Sequence, residues 1–248
     1  MTRVRALMQL TVLVAILASC GKQTRGSHLL VILVDVSDSI EPAAEEQAFA
    51  AIDRAIAEEK RGDEVAVIPI TGDAQAETSG RVMRFRVPTV RQAYDNDLRQ
   101  FRNTLKRSLG ELKAEAMANP GKHTDLLGAV MLAQQEFRFH LGQSKRFLAV
   151  LSDFLQDDGE LDFVKDRRLG NTAAARELAI ETANTSSGAL RGMKVYLGML
   201  RSKDYKGLNR SRRDAIQEFW TQYFNYSGAH TTFATDGTGL LGQFLNAE

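Results

Sequence analysis

Six consecutive apolar residues, Leu29-Leu30-Val31-Ile32-Leu33-Val34, run directly into Asp35-Val36-Ser37-Asp38-Ser39. An unbroken apolar run of strand length has to be covered on both faces, as in a parallel sheet between two layers of helices. Where such a strand ends and turns into a loop, a D-x-S-x-S spacing brings the oxygens of Asp35, Ser37 and Ser39 towards one point. Hard divalent cations are bound by oxygen donors of this kind.

Strand-like and helix-like periods then alternate along the chain, the pattern of an α/β fold with a parallel sheet. Strands are predicted over 29–35, 64–71, 81–87, 145–153, 194–200 and 230–235. Five of them read as buried, whereas Arg81-Val82-Met83-Arg84-Phe85-Arg86-Val87 alternates charged and apolar side chains as an edge strand does. Helices are predicted over 43–60, 90–117, 125–141, 172–185 and 210–224. Pro42 suits the first turn of the first helix, and Phe49, Ile52 and Ile56 share one of its faces. In the second, Leu98, Phe101, Leu105, Leu109 and Leu112 recur at helical spacing, and Thr124 is placed to cap the third. The expected fold class is therefore α/β: a doubly wound, Rossmann-like, mostly parallel six-stranded sheet with helices on both faces. In such sheets ligands gather beyond the carboxyl ends of strands, where Asp35 and Asp153 both stand.

The length of 248 residues and 44% hydrophobic content suit one such domain with a short extension. A formal net charge of +1 argues against a nucleic-acid binder driven by bulk charge. Cys20 is the single cysteine, so no intramolecular disulfide can form. It follows a basic segment with Arg3 and Arg5, an apolar stretch from Ala6 to Leu17, and Leu17-Ala18-Ser19. That stretch is shorter than the ~20 residues needed to span a bilayer. Leu17-Ala18-Ser19-Cys20 resembles the bacterial lipobox. The resemblance implies a signal peptide over 1–19, lipidation of Cys20, a tether over 20–28 and a domain over 29–247. Membrane attachment would run through the acylated Cys20. Gly21 resembles the residue of lipoproteins forwarded to the outer membrane, here facing the periplasm of a bacterial cell envelope.

The D-x-S-x-S loop resembles the metal-ion-dependent adhesion site of von Willebrand factor A domains, which a distant Thr and a distant Asp complete. Thr124, in Lys122-His123-Thr124-Asp125-Leu126-Leu127-Gly128-Ala129, resembles the family's T-x-L-x-x-A helix start. Asp153, after Phe147-Leu148-Ala149-Val150-Leu151-Ser152, resembles its strand-terminal T-D-G. The resemblance implies that Asp35, Ser37, Ser39, Thr124 and Asp153 hold Mg²⁺ or Mn²⁺, with Asp38, His123 and Asp125 at the periphery. It also implies an antiparallel third strand at the sheet edge, and a partner protein whose Glu or Asp carboxylate completes the coordination. The departures are Ser152 and Phe154 in place of Thr and Gly, and Asp38 where the family often has Gly. None removes a ligand.

Other motifs point elsewhere less well. Asp157-Asp158-Gly159-Glu160-Leu161-Asp162 reads as a solvated acidic loop, and Arg201, Lys203, Lys206, Arg210, Arg212 and Arg213 as a solvated basic face. Gly237-Thr238-Gly239-Leu240-Leu241-Gly242 matches a dinucleotide fingerprint but lacks room for the rest of a βαβ unit, and reads as the turn into a short terminal helix. His28, His123, His140 and His230 show no metal-ligand spacing. A metal-dependent phosphohydrolase of the aspartyl-phosphate type needs a second Asp two residues after its nucleophile, where Ser37 stands. The expectation is a non-enzymatic, lipid-anchored module that captures a protein through a metal.

Overall fold

The computed structural model describes residues 27–72, 81–88, 91–118, 123–140, 145–185, 190–235, 239 and 241–246. The predicted signal peptide, Cys20 and most of the tether lie outside the described residues.

The elements follow in the order β1 (His28–Asp35), α1 (Pro42–Glu58), β2 (Glu64–Ile70), β3 (Met83–Arg86), α2 (Arg91–Ala118), α3 (Leu126–Phe139), β4 (Lys145–Ser152), α4 (Thr172–Thr185), β5 (Lys194–Met199), α5 (Lys203–Gly207), α6 (Arg210–Tyr226), β6 (His230–Ala234) and α7 (Leu241–Asn246). The first strand shows why these elements form a three-layer stack. Leu29, Val31 and Leu33 belong to the core beneath α3, α4 and α6, while Leu30, Ile32 and Val34 belong to the core beneath α1, α2 and α7. Each such side chain contributes about 1.5–3 kcal/mol by leaving water. Those gains require helices on both faces of the sheet.

The strand order is β3-β2-β1-β4-β5-β6. Pairing is parallel throughout except at β3, which runs antiparallel to β2 with Glu64 opposite Arg86. The fold class is the expected one, including the antiparallel edge. β6 departs from expectation: it forms the other edge, and His230 and Thr232 are exposed rather than buried. The turn ahead of α7 is partly described, and α7 is the short terminal helix expected there. Among the described residues no helix is long and apolar enough to cross a membrane.

Because β2 and β4 flank β1, the chain leaves β1 in one direction for β2 and β3 and later returns to its other side for β4, β5 and β6. The order therefore reverses between β1 and β4, where a doubly wound sheet opens a crevice at its carboxyl edge.

Candidate metal centre

Asp35 ends β1 and Asp153 immediately follows β4, so the two carboxylates border that crevice from adjacent strands. Both are buried, each 1% exposed. Asp35 is held on two sides: Oδ1 accepts from the Ser37 amide at 2.9 Å and Oδ2 from Ser152 Oγ at 2.7 Å. Ser37 Oγ lies 3.1 Å from Ser39 Oγ, and Ser39 Oγ donates to Asp153 Oδ2 at 3.3 Å. A continuous chain of oxygens thus links the loop after β1 to the carboxylate after β4. On its other oxygen, Asp153 accepts from the Leu155 amide at 3.0 Å.

Burial and mutual repulsion act together on this pair. Desolvation, followed by the nearby Asp35 charge, pushes the Asp153 carboxyl up to about 7. Asp35 is also raised, chiefly by burial, against hydrogen bonds from Ser37 and Ser152. Two buried carboxylates beside neutral hydroxyls form a donor set that a divalent cation neutralises, and the oxygen-only chemistry suits Mg²⁺ or Mn²⁺.

Thr124 reaches the same end of the sheet by another route. Its segment is clamped between β2 and the loop after β4: the Asp125 amide donates to Thr71 O at 2.9 Å, and Thr124 and Asp157 exchange backbone hydrogen bonds of 2.8 and 2.9 Å. Gly72 permits this approach, since a Cβ there would sit 2.8 Å from the His123 carbonyl oxygen. Thr124, Ser37, Asp38 and His123 line one cavity. Asp38 is exposed, as expected for a solvent-facing side chain, and His123 pairs with Asp157 at 3.0 Å. The acidic loop is thus tied to the site through Asp157, while Asp158 closes its own turn by accepting from the amides of Glu160 and Leu161.

The N-cap of α3 corrects the expectation for Thr124. Asp125 is the capping residue, its Oδ1 accepting from the Gly128 amide at 2.7 Å. A carboxylate is the better cap here because it also favours the positive end of the helix. Asp125 is therefore committed to the helix.

Four residues not anticipated as parts of the site support it. Ser152, fully buried, donates to Asp35 and accepts from the Phe154 amide at 2.9 Å. Ser202, also fully buried, caps α5 beside Asp153 and acts to lower its carboxyl pKa. Gln156 accepts from the Leu127 amide at 2.9 Å and steadies the start of α3. Lys113 donates from Nζ to Ser37 O at 2.6 Å and to Ile40 O at 3.3 Å, fastening the D-x-S-x-S loop to α2. One signal for Lys113 was in the sequence: it extends the Leu105–Leu109 spacing by four residues, an apolar-face position for a cation.

Phe154 stands where the resembled motif has Gly, and it adopts a left-handed backbone with φ of 63°. Its ring is fully buried near Trp220 and Phe233, and its carbonyl accepts from Trp220 Nε1 at 3.0 Å. Packing thus holds a residue that this backbone conformation disfavours. The basic run is partly structural: Lys206 pairs with Glu41, and Arg212 Nη1 donates to Phe163 O and Val164 O.

No family model matches this chain, and no curated protein matches it. Among solved structures it is similar to a von Willebrand factor type A protein from Catenulispora acidiphila, at 18% identity and a TM-score of 0.46, covering 90% of this chain and 42% of that one. It is similar to the human COPII-coat protein Sec24c at 12% identity and a TM-score of 0.42, covering 91% and 32%. It is similar to the manganese-loaded TRAP protein of Plasmodium vivax at 12% identity and a TM-score of 0.39, covering 89% and 74%. The chain spans less than half the length of the first two.

Proposed function

We propose that this chain is a von Willebrand factor A-type binding module that captures a partner protein through a Mg²⁺ or Mn²⁺ ion. The observation that carries the proposal is the oxygen chain from Ser37 through Ser39 to Asp153, with Asp35 held by the Ser37 amide, at the reversal of strand order. Asp35, Ser37, Ser39, Thr124 and Asp153 would hold the ion. Bound there, it would supply an electrophilic position for a Glu or Asp carboxylate of the partner. The chain's own residues do the rest: the two carboxylates balance the charge of the ion, and Lys113 and Ser152 fix the loop and Asp35. The lipobox resemblance adds attachment of the module to the bacterial envelope through acylated Cys20, with the domain in the periplasm.

A binding role fits the site better than hydrolysis. Asp35 is fastened by the Ser37 amide and Ser152 Oγ, and the position two residues on carries a hydroxyl rather than a general acid.

The test is capture of envelope proteins by the full-length chain with Mg²⁺, with Mn²⁺ and with EDTA, beside Ser37→Ala and Asp153→Ala. The expected result is partner capture with either ion, lost with EDTA and in both variants. Capture indifferent to chelation, or Mg²⁺-dependent phosphatase turnover abolished by Asp35→Ala, overturns the proposal.

A further inference from the structure

A second convergence of ligating side chains lies at the opposite end of β1. His28 opens that strand, Glu59 caps the carboxyl end of α1, and Asp63 immediately precedes β2. One donor atom from each lies within 4.8 Å of the others. Glu59 is 6% exposed and Asp63 4%. The sequence spacing of the histidines gave no hint of this trio, because His28 joins Glu59 and Asp63 of the α1–β2 loop from more than thirty positions away.

The cluster is built rather than incidental. Asp63 is fixed by the His28 amide, which donates to Oδ1 at 3.0 Å, and by the Lys60 amide, which donates to Oδ2 at 2.7 Å. The His28 ring stands edge-on to Phe147, with centroids 5.5 Å apart. Its Nδ1 lies 3.6 Å from Asp63 Oδ2, and its Nε2 faces Glu59 Oε2. His28 Nε2 and Glu59 Oε2 are both buried, form an ion pair with each other, and have no other partner among the described residues. A buried carboxylate whose charge is met by one imidazole is still costly to desolvate, and a cation joining the trio would offset that cost. Glu59 also approaches the Asp63 carboxylate, so two like charges share the pocket.

We propose that His28, Glu59 and Asp63 form a second metal site, which takes a divalent transition-metal ion, Zn²⁺ by preference. One imidazole and two carboxylates give a charge of −2 with His28 neutral, matching a divalent ion. The mixed nitrogen and oxygen donors favour Zn²⁺ over Mg²⁺. Metal bonds of about 2.0–2.2 Å place donors about 3–4 Å apart; with Asp63 held by two amides, the ion is reached by rotation of His28 and Glu59, which opens their direct pair. The seven-residue rise of β1 puts this site about 23 Å from Asp35, separate from the D-x-S-x-S centre. Its role would be a clamp on the point where the chain enters the sheet, tying β1, α1 and β2 together.

The test uses the metal-stripped full-length chain carrying Asp35→Ala and Asp153→Ala, titrated with Zn²⁺ by calorimetry and with Co²⁺ by visible absorption. The expected result is one equivalent of Zn²⁺ bound and a Co²⁺ ligand-field band, with affinity lost by more than the roughly 10–100-fold cost of an outer partner on His28→Gln or Glu59→Gln. The same titration of the wild-type chain in excess Mg²⁺, against His28→Gln, gives the answer even if the double variant fails to fold. Absence of Zn²⁺ binding, or binding untouched by His28→Gln and Glu59→Gln, overturns the second site and leaves the docking proposal standing.

Discussion

Ser152 Oγ donates a 2.7 Å hydrogen bond to Asp35 Oδ2 across 117 residues of sequence, and the same oxygen accepts from the Phe154 amide. One hydroxyl thus orients the carboxylate that ends β1 and the turn that follows β4. Ser152→Ala leaves a buried carboxylate oxygen and a buried amide without that partner, a cost of about 1–3 kcal/mol. Ser152→Thr, the residue of the resembled motif, keeps the hydroxyl and is expected to cost less. Urea midpoints of the two variants, measured with and without Mg²⁺, check both the stability and the orientation of Asp35.

The raised Asp153 carboxyl sets a pH dependence whose sign is fixed. Its folded value is about 7 against an ordinary 3.8, so between about pH 4 and 7 the folded protein holds a proton that the unfolded chain has lost. Stability of the metal-free protein therefore falls as pH rises through that window, and Asp153 adds no further slope above it. A divalent cation requires the ionised form, so Mg²⁺ binding at pH 6 is expected to release a proton, and affinity to rise with pH up to about 7. Calorimetry in two buffers of different ionisation enthalpy measures the proton directly.

Lys113→Met retains the buried stem and removes the ammonium group that holds Ser37 O and Ile40 O. The change also strips Glu45 of a partner 3.6 Å away. Loss of these charge-assisted bonds is expected to cost about 2–3 kcal/mol and to weaken Mg²⁺ binding by loosening the loop. Chemical denaturation alongside Mg²⁺ titration separates the two effects; a variant that loses stability but keeps full affinity would remove Lys113 from the positioning role.

Phe154→Gly trades strain against packing. Glycine relieves a left-handed backbone worth roughly 1–2 kcal/mol, but removal of the buried ring costs about 3–5 kcal/mol. The net expectation is a loss of about 1–4 kcal/mol, read as a lowered melting midpoint.

Two helical glycines are expected to respond in opposite ways to alanine. Gly110, exposed in α2, has nothing within 4 Å of an added Cβ, so Gly110→Ala should stabilise by roughly 0.5–1 kcal/mol. At Gly128 the added Cβ would lie 2.0 Å from Asp125 Oδ2, so the cap must move and its contribution of about 1 kcal/mol is lost. Gly128→Ala should therefore give no gain. Denaturation midpoints of the pair decide whether the Asp125 cap needs that space.

Local chemistry alone determined much of this protein. The apolar run of β1, the charge alternation around β3 and the amphipathic spacing of α1 and α2 imposed their elements, because period and burial are properties of neighbouring residues. The D-x-S-x-S loop was legible for the same reason, since its three side chains lie within five positions. Contacts between distant segments were decided only by the tertiary structure. Strand order places Asp35 and Asp153 at the reversal between β1 and β4, and no local pattern encodes which strands become neighbours. The pairing of Ser152 with Asp35, the reach of Lys113 to the loop and the commitment of Asp125 to α3 depend on side-chain directions that exist only once the helices are packed. The meeting of His28 with Glu59 and Asp63 is the clearest case: a strand residue and two residues of the α1–β2 loop become a cluster only because parallel β1 and β2 start side by side, with α1 ending above them.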